Sequence, residues 1–152
     1  MAKELVVYFS PTGTTKRKAL ELSRSKNIDI CEIEPEVKYT KADLNWMNEK
    51  SRARVEMQDM SSRPKIKEIN VHIENYDKIY IGFPIWLHIA PTIINTFLEK
   101  YNFSNKEIIC FATSALDGWG NTLKNLISSV DKSCKISLGE IDIYRKSLIN
   151  KY

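Results

Sequence analysis

Histidine, cysteine and long apolar runs are scarce in this chain, and each scarcity removes a class of function. Its two histidines, His72 and His88, are too few and too far apart to form a visible zinc or iron ligand set. The three cysteines are widely separated. Cys31 and Cys110 lie in apolar strand-like runs, and Cys134 stands just before another. That pattern predicts buried, reduced thiols rather than a disulfide frame. No apolar run approaches the ~20 residues of a membrane span. The opening Met1-Ala-Lys-Glu-Leu5 has no secretory apolar core, so a cytoplasmic protein off the membrane is expected. The phosphate-binding patterns G-x-x-x-x-G-K-[ST] and G-x-G-x-x-G are both missing. Internal repeats, linkers and low-complexity tracts are missing as well. The net charge is only +4, and basic residues mix with acidic ones, as in Lys65-Ile-Lys67-Glu68. A solvated surface, without nucleic-acid binding, is the reading.

What is present suffices for one domain over residues 1–152. Hydrophobic residues make up 43 % of the chain, enough to bury a core. The stretch Leu5–Thr15 organises the rest. Apolar Leu5–Phe9 ends abruptly in Ser10-Pro-Thr-Gly-Thr-Thr15, and a helical stripe through Ala19, Leu20 and Leu22 follows. A strand, a tight turn and a helix start are predicted. Such a turn points backbone N–H groups at the positive end of a helix dipole, which suits an anion. Hydroxyls of Ser10, Thr12, Thr14 and Thr15 add donors, and Gly13 permits close approach. With no lysine inside the turn, a monophosphate fits better than a metal-bound triphosphate. The plainer reading is that Ser10 and Thr12 only cap the helix.

Ile28–Ile33 alternates and reads as a second strand. Lys78–Phe83 and Glu107–Thr113 read as the third and fourth, and Cys134–Leu138 as the fifth. Helices are predicted over Lys16–Ser25, Thr92–Tyr101 and Asn121–Val130. A longer or broken helix is predicted within Lys41–Met60, and a short one from Ile141 to Tyr152. Alternating strand and helix argue for a parallel, doubly wound α/β sheet, with any ligand at the carboxyl ends of the strands. Three loops should meet there: Ser10–Thr15, Pro84–Pro91 and Thr113–Asn121. Trp86 and Trp119 lie in the last two. Each is an exposed apolar plane unless something flat covers it. Trp86 either lines a ligand or folds back onto the third helix, and Trp119 either stacks on the ligand or packs inward.

The motifs Tyr8-Phe-Ser-Pro-Thr-Gly-Thr-Thr15, Tyr76-Asp77, Gly82-Phe-Pro-Ile-Trp86 with Ala90-Pro91, and Thr113-Ser114 together resemble those of flavodoxins. The resemblance spans Leu5 to Gly120. It implies a flavodoxin-like five-stranded sheet of order 2-1-3-4-5 in three αβα layers, binding FMN. Ser10, Thr12, Gly13, Thr14 and Thr15 would hold the phosphate. Pro84, Ile85, Trp86, Leu87 and His88 would line one face of the isoalloxazine. Thr113, Ser114, Ala115, Asp117 and Gly118 would edge its other side and the pyrimidine. The role implied is a low-potential electron carrier, a monomer or weak dimer, serving redox partner proteins: a reductase and an acceptor. The alternative is a flavin-dependent NAD(P)H oxidoreductase of quinones or nitro compounds, which the basic charge and His88 keep open. Where relatives of this branch carry an aromatic and then glycine after Trp86, this chain has Leu87 and His88. A non-glycine residue at positive φ is costly, by about 1–2 kcal/mol, so loop movement towards a reduced flavin is expected to be harder here.

Overall fold

The structure, a computed structural model, describes residues 3–145. Strand β1 (Glu4–Tyr8) lies inside a five-stranded sheet, one strand from its edge, and Leu5, Val6, Val7 and Tyr8 are all buried, with apolar neighbours on both faces. β2 (Asp29–Glu32) flanks it on one side and β3 (Lys78–Pro84) on the other. β4 (Glu107–Ser114) and β5 (Lys135–Ile143) complete the order β2-β1-β3-β4-β5, all parallel. The strand order is the one the motifs imply.

Side chains alternate across this sheet. Leu5, Val7, Ile79, Ile81, Ile108 and Cys110 point into the larger core, with α2 (Arg52–Gln58), α3 (Thr92–Lys100) and α4 (Thr122–Ile127) packed there. Val6, Tyr8, Tyr80 and Phe111 point to the opposite face, against Ala19 of α1 (Thr14–Lys26). Helix α3 starts after Pro91, whose missing N–H is harmless there, and buries Ile93, Ile94, Phe97 and Leu98. Among the described residues α1 alone covers its face. Beside it, towards β5, runs an open groove of about 820 Å³.

Of the two forms expected within Lys41–Met60, the broken one is found: a single 3-10 turn at Ala42–Leu44, then α2 of seven residues. The cause is local. Asn45 and Asn48 accept hydrogen bonds from the amides of Met47 and Lys50, and these side-chain turns compete with helix. The helix expected over Asn121–Val130, α4, is shorter and runs only Thr122–Ile127. The fifth strand runs on past Leu138 to Ile143, because Ile141, Asp142 and Ile143 pair with Ala112, Thr113 and Ser114 after a bulge. Ile141–Ile143 is therefore strand and not the start of a terminal helix. The rest of that predicted helix, beyond residue 145, lies outside the described residues.

All three thiols are buried and free. Burial pushes Cys31 and Cys110 up to about 12 and raises Cys134 as well. At pH 8 a thiol with a pKa near 12 is ionised to only about one part in 10⁴. Native protein is expected to leave Ellman's reagent nearly unreacted over minutes, whereas denatured protein releases three equivalents. Fast reaction of any native thiol would contradict the burial.

Candidate functional site

The first loop builds a half-finished turn. Ser10 Oγ accepts from Gly13 N at 3.1 Å and from Lys16 N at 2.9 Å, so one hydroxyl holds both ends of the turn. Gly13 sits at φ 91 as the N-cap of α1, a conformation that a side chain makes costly. A Cβ built there would meet nothing within 4 Å, so open space lies in front of it. Among the described residues, no acceptor meets the N–H groups of Thr12, Thr14 or Thr15. Thr12 Oγ and Thr14 Oγ stand 3.4 Å apart. This is a set of free amides at the start of a 13-residue helix, with hydroxyls beside them. It suits an anion.

The second loop is a two-residue hairpin turn. Trp86 N donates to Ile89 O at 2.8 Å, and Ile89 N donates back to Trp86 O at 3.2 Å. Leu87 and His88 occupy the corner at φ 49 and φ 71. Both are therefore left-handed, the geometry that the twist of a hairpin favours and that Asn-Gly meets without strain. The conformation expected to be hard to reach is the resting one. Replacing Leu87 with asparagine and His88 with glycine together is expected to raise stability by about 1 kcal/mol. A urea titration of the cofactor-free protein measures it; a lower midpoint would mean that the turn is not strained.

The third loop docks on the second. Ile85 N donates to Thr113 O at 2.9 Å. Asp117 Oδ1 is 3.3 Å from His88 Nδ1. Gly120, at φ 51, lies so close that a Cβ there would sit 2.0 Å from the His88 carbonyl oxygen. Thr15 Oγ and Thr113 Oγ share a buried 2.8 Å hydrogen bond that ties loop one to loop three. Asp117 N donates to Ser114 Oγ at 2.9 Å. The three loops meet at one edge of the sheet.

The residues do not all do what the motifs imply. Trp86 is only 6 % exposed. Phe9, Tyr39 and Trp46 meet its ring edge-on at 5.4–5.5 Å. The expectation of an exposed indole plane thus fails at Trp86, because the segment before α2 brings Tyr39 and Trp46 over it. Nor does Trp86 fold back onto α3 alone. Leu87, 45 % exposed, and His88 stand at the rim in its place. Trp119 packs inward, edge-on to Phe83 at 6.2 Å, and its carbonyl accepts from Thr122 Oγ. Thr15, Thr113 and Ser114 are buried, so their hydroxyls brace the loops. Pro84, Ile85, Ala115 and Asp117 are half-buried at the rim, and Thr12, Gly13 and Gly118 are exposed.

Sequence reasoning missed Trp46, Tyr39 and Gly120. Trp46 is the third tryptophan, in a segment whose weak helical stripe hid its path. Tyr39 is further held by Arg52, stacked 3.8 Å over its ring, and its hydroxyl donates to Glu56 at 2.5 Å. Burial, reinforced by Glu56, pushes that hydroxyl well above its usual range. A cavity of about 220 Å³ adjoins the first loop, lined in part by Ser10, Pro11, Lys38 and Tyr39. The larger groove beside α1 touches none of the three loops. The loop contacts, not cavity size, locate the site.

A doubly wound sheet of this order, with an open amide turn after β1 and two loops meeting it, defines an anion-binding α/β protein. The chain belongs to the flavodoxin family: the family model for flavodoxin matches residues 3–145. A crystal structure described as that of a candidate flavoprotein from Bacteroides uniformis is 40 % identical, with TM-score 0.86, covering 99 % of this chain and 97 % of that one. Another from Bacteroides eggerthii is 38 % identical, with TM-score 0.84 and coverage of 99 % and 95 %. A flavoprotein from Lactobacillus acidophilus in complex with FMN is 24 % identical, with TM-score 0.73 and coverage of 100 % and 99 %; at that identity the likeness is one of fold. No curated protein matched the chain in sequence.

Proposed function

We propose that this chain binds FMN noncovalently and works as a single-domain, low-potential electron carrier in the cytoplasm. The observation that carries the reading is the trio of unpartnered N–H groups at Thr12, Thr14 and Thr15, at the same sheet edge as two mutually docked loops. A phosphate monoester completes those neutral donors, its oxygens accepting from the three amides. The Bacteroides relatives and the FMN complex support the assignment. No helix among the described residues is long and apolar enough to cross a membrane.

FMN supplies the redox chemistry, and the protein supplies binding and orientation. The amides and the Thr12 and Thr14 hydroxyls hold the phosphate. Ser10 Oγ, already accepting from two amides, keeps its own O–H free to donate. Leu87 presents an apolar contact at the rim, and the Ile85 N–H to Thr113 carbonyl hydrogen bond, with Gly120 packed on the His88 carbonyl, sets the spacing of loops two and three. No side chain serves as a nucleophile.

An absorption spectrum of the purified protein, with and without added FMN, tests the reading. Bands of bound flavin are expected, with quenched flavin fluorescence; a colourless protein that takes up none would end it. Thr12→Ala is expected to raise the FMN dissociation constant roughly 2- to 10-fold, the equivalent of about 0.5–1.5 kcal/mol. An unchanged constant would remove Thr12 from the phosphate site. NAD(P)H oxidation with a quinone acceptor and no partner reductase would select the oxidoreductase reading instead.

A further inference from the structure

We propose that Trp46, Trp86 and Tyr39 form a path that carries an oxidising equivalent out of the second loop, ending on Tyr39, which gives up an electron together with its phenolic proton to Glu56. This goes beyond the electron-carrier reading and does not depend on it. Trp86 is met by three rings, of Phe9, Tyr39 and Trp46. Phe9 has no heteroatom to ease oxidation; the other two do. The Trp86 ring centroid is 5.4 Å from that of half-buried Trp46 and 5.5 Å from that of Tyr39, so the three oxidisable rings are in direct edge contact.

Tyr39 combines contact with an indole and a base for its proton. The hydroxyls of Tyr8, Tyr76 and Tyr80 also donate to carboxylates, those of Glu32, Asp29 and Glu4. Among the described residues none of those three rings packs on a tryptophan. Tyr39 Oη donates to Glu56 Oε1 at 2.5 Å, and Arg52 Nε holds the other carboxylate oxygen, Oε2, at 3.3 Å. The Arg52 guanidinium also lies 3.8 Å over the Tyr39 ring. A cation there disfavours positive charge on the ring, so the electron and the proton must leave together. Among the described residues neither the Trp46 nor the Trp86 N–H donates to a protein acceptor, so an oxidised indole has no base of its own. A one-electron oxidant strong enough for an indole, photoexcited isoalloxazine being one, takes an electron and leaves an indole radical cation. Tyr39 returns that electron through Trp86, and its O–H proton passes to the Glu56 carboxylate. The products are a neutral indole, a neutral tyrosyl radical and the Glu56 acid, with total charge unchanged.

The test is pulse radiolysis of the FMN-free protein in azide solution. The azide radical oxidises indoles in preference to phenols and departs as azide ion. Transient absorbance follows the decay of the indole radical and the growth of the tyrosyl radical. That growth is expected to be independent of protein concentration and slower in deuterium oxide. Tyr39→Phe, which keeps the ring, is expected to abolish the growth and leave the radical on the indoles. Glu56→Gln keeps an acceptor for the hydroxyl but removes the base, and is expected to slow the growth. Tyr80→Phe removes a carboxylate-bonded hydroxyl that touches no indole, and is expected to change nothing. Circular dichroism checks that each variant is folded. A tyrosyl radical that forms as fast in Tyr39→Phe as in the parent chain would overturn the proposal. So would a growth rate proportional to protein concentration, or equal losses in Tyr39→Phe and Tyr80→Phe. Where Tyr39→Phe does not fold, Glu56→Gln and the parent chain decide: no slowing in the one, or an indole radical that never passes to tyrosine in the other, ends the proposal. No flavin is present, so a failed transfer leaves the FMN assignment standing. Equally, a chain that takes up no FMN but shows the transfer keeps the path and loses the carrier reading.

Discussion

Truncating Trp86 to alanine is expected to destabilise the FMN-free protein by about 3–5 kcal/mol. That is a large part of the 5–15 kcal/mol that typically holds a domain together. The indole is buried and touched edge-on by three rings, so its loss leaves a cavity that Phe9, Tyr39 and Trp46 cannot all collapse into. Because Trp46 and Tyr39 come from the segment before α2, the second loop and that segment should loosen together. Urea denaturation of the apo form measures the effect without any contribution from flavin. A change under about 1 kcal/mol would mean that the indole is free to leave its cluster and face a ligand.

Gly120→Ala is expected to destabilise the protein by about 2–5 kcal/mol and to weaken FMN binding by more than tenfold. Two effects add. A non-glycine residue at φ 51 is strained by about 1–2 kcal/mol. The new Cβ would also press on the His88 carbonyl oxygen, a backbone atom that cannot rotate away. Overpacking of this kind typically adds 1–3 kcal/mol. Relief comes only by moving loop two off loop three, which spoils the spacing of the cofactor site. Thermal unfolding of the apo form and fluorescence titration with FMN read the two halves separately. For the unfolding measurement Gly118→Ala is the matched control, since a Cβ there meets nothing within 4 Å. If both glycines tolerate alanine equally, loops two and three are not in contact in solution.

Much of the fold was legible because its signals are local. Leu5–Phe9 breaking into Ser10-Pro-Thr-Gly announces strand, turn and helix in one stretch, and Thr92–Tyr101 carries its apolar stripe openly. What stayed hidden depends on distant partners. The extension of β5 past Gly139 is decided by pairing with Ala112–Ser114, and Ile141, Tyr144 and Leu148 fit a helical stripe as well as a strand. Trp86 looked like an exposed plane because nothing in its own loop covers it; its cover lies some forty to fifty residues earlier, in a stretch with weak periodicity. The Leu87-His88 turn was not seen as a hairpin because its usual signature is Asn-Gly. The three site loops could be found, but not which hydroxyls face solvent. Thr14 and Thr15 look alike in sequence, yet Thr15 is buried against Thr113.

That single shared hydroxyl bond between Thr15 and Thr113 couples the first turn of α1 to the last residues of β4, 98 positions away in sequence. The two segments cannot open to water independently without stranding a buried hydroxyl on each side. In deuterium exchange they should lose protection at the same rate, as one breathing unit. Whatever occupies the amide turn would then slow exchange in β4 too, although it never touches that strand's interior.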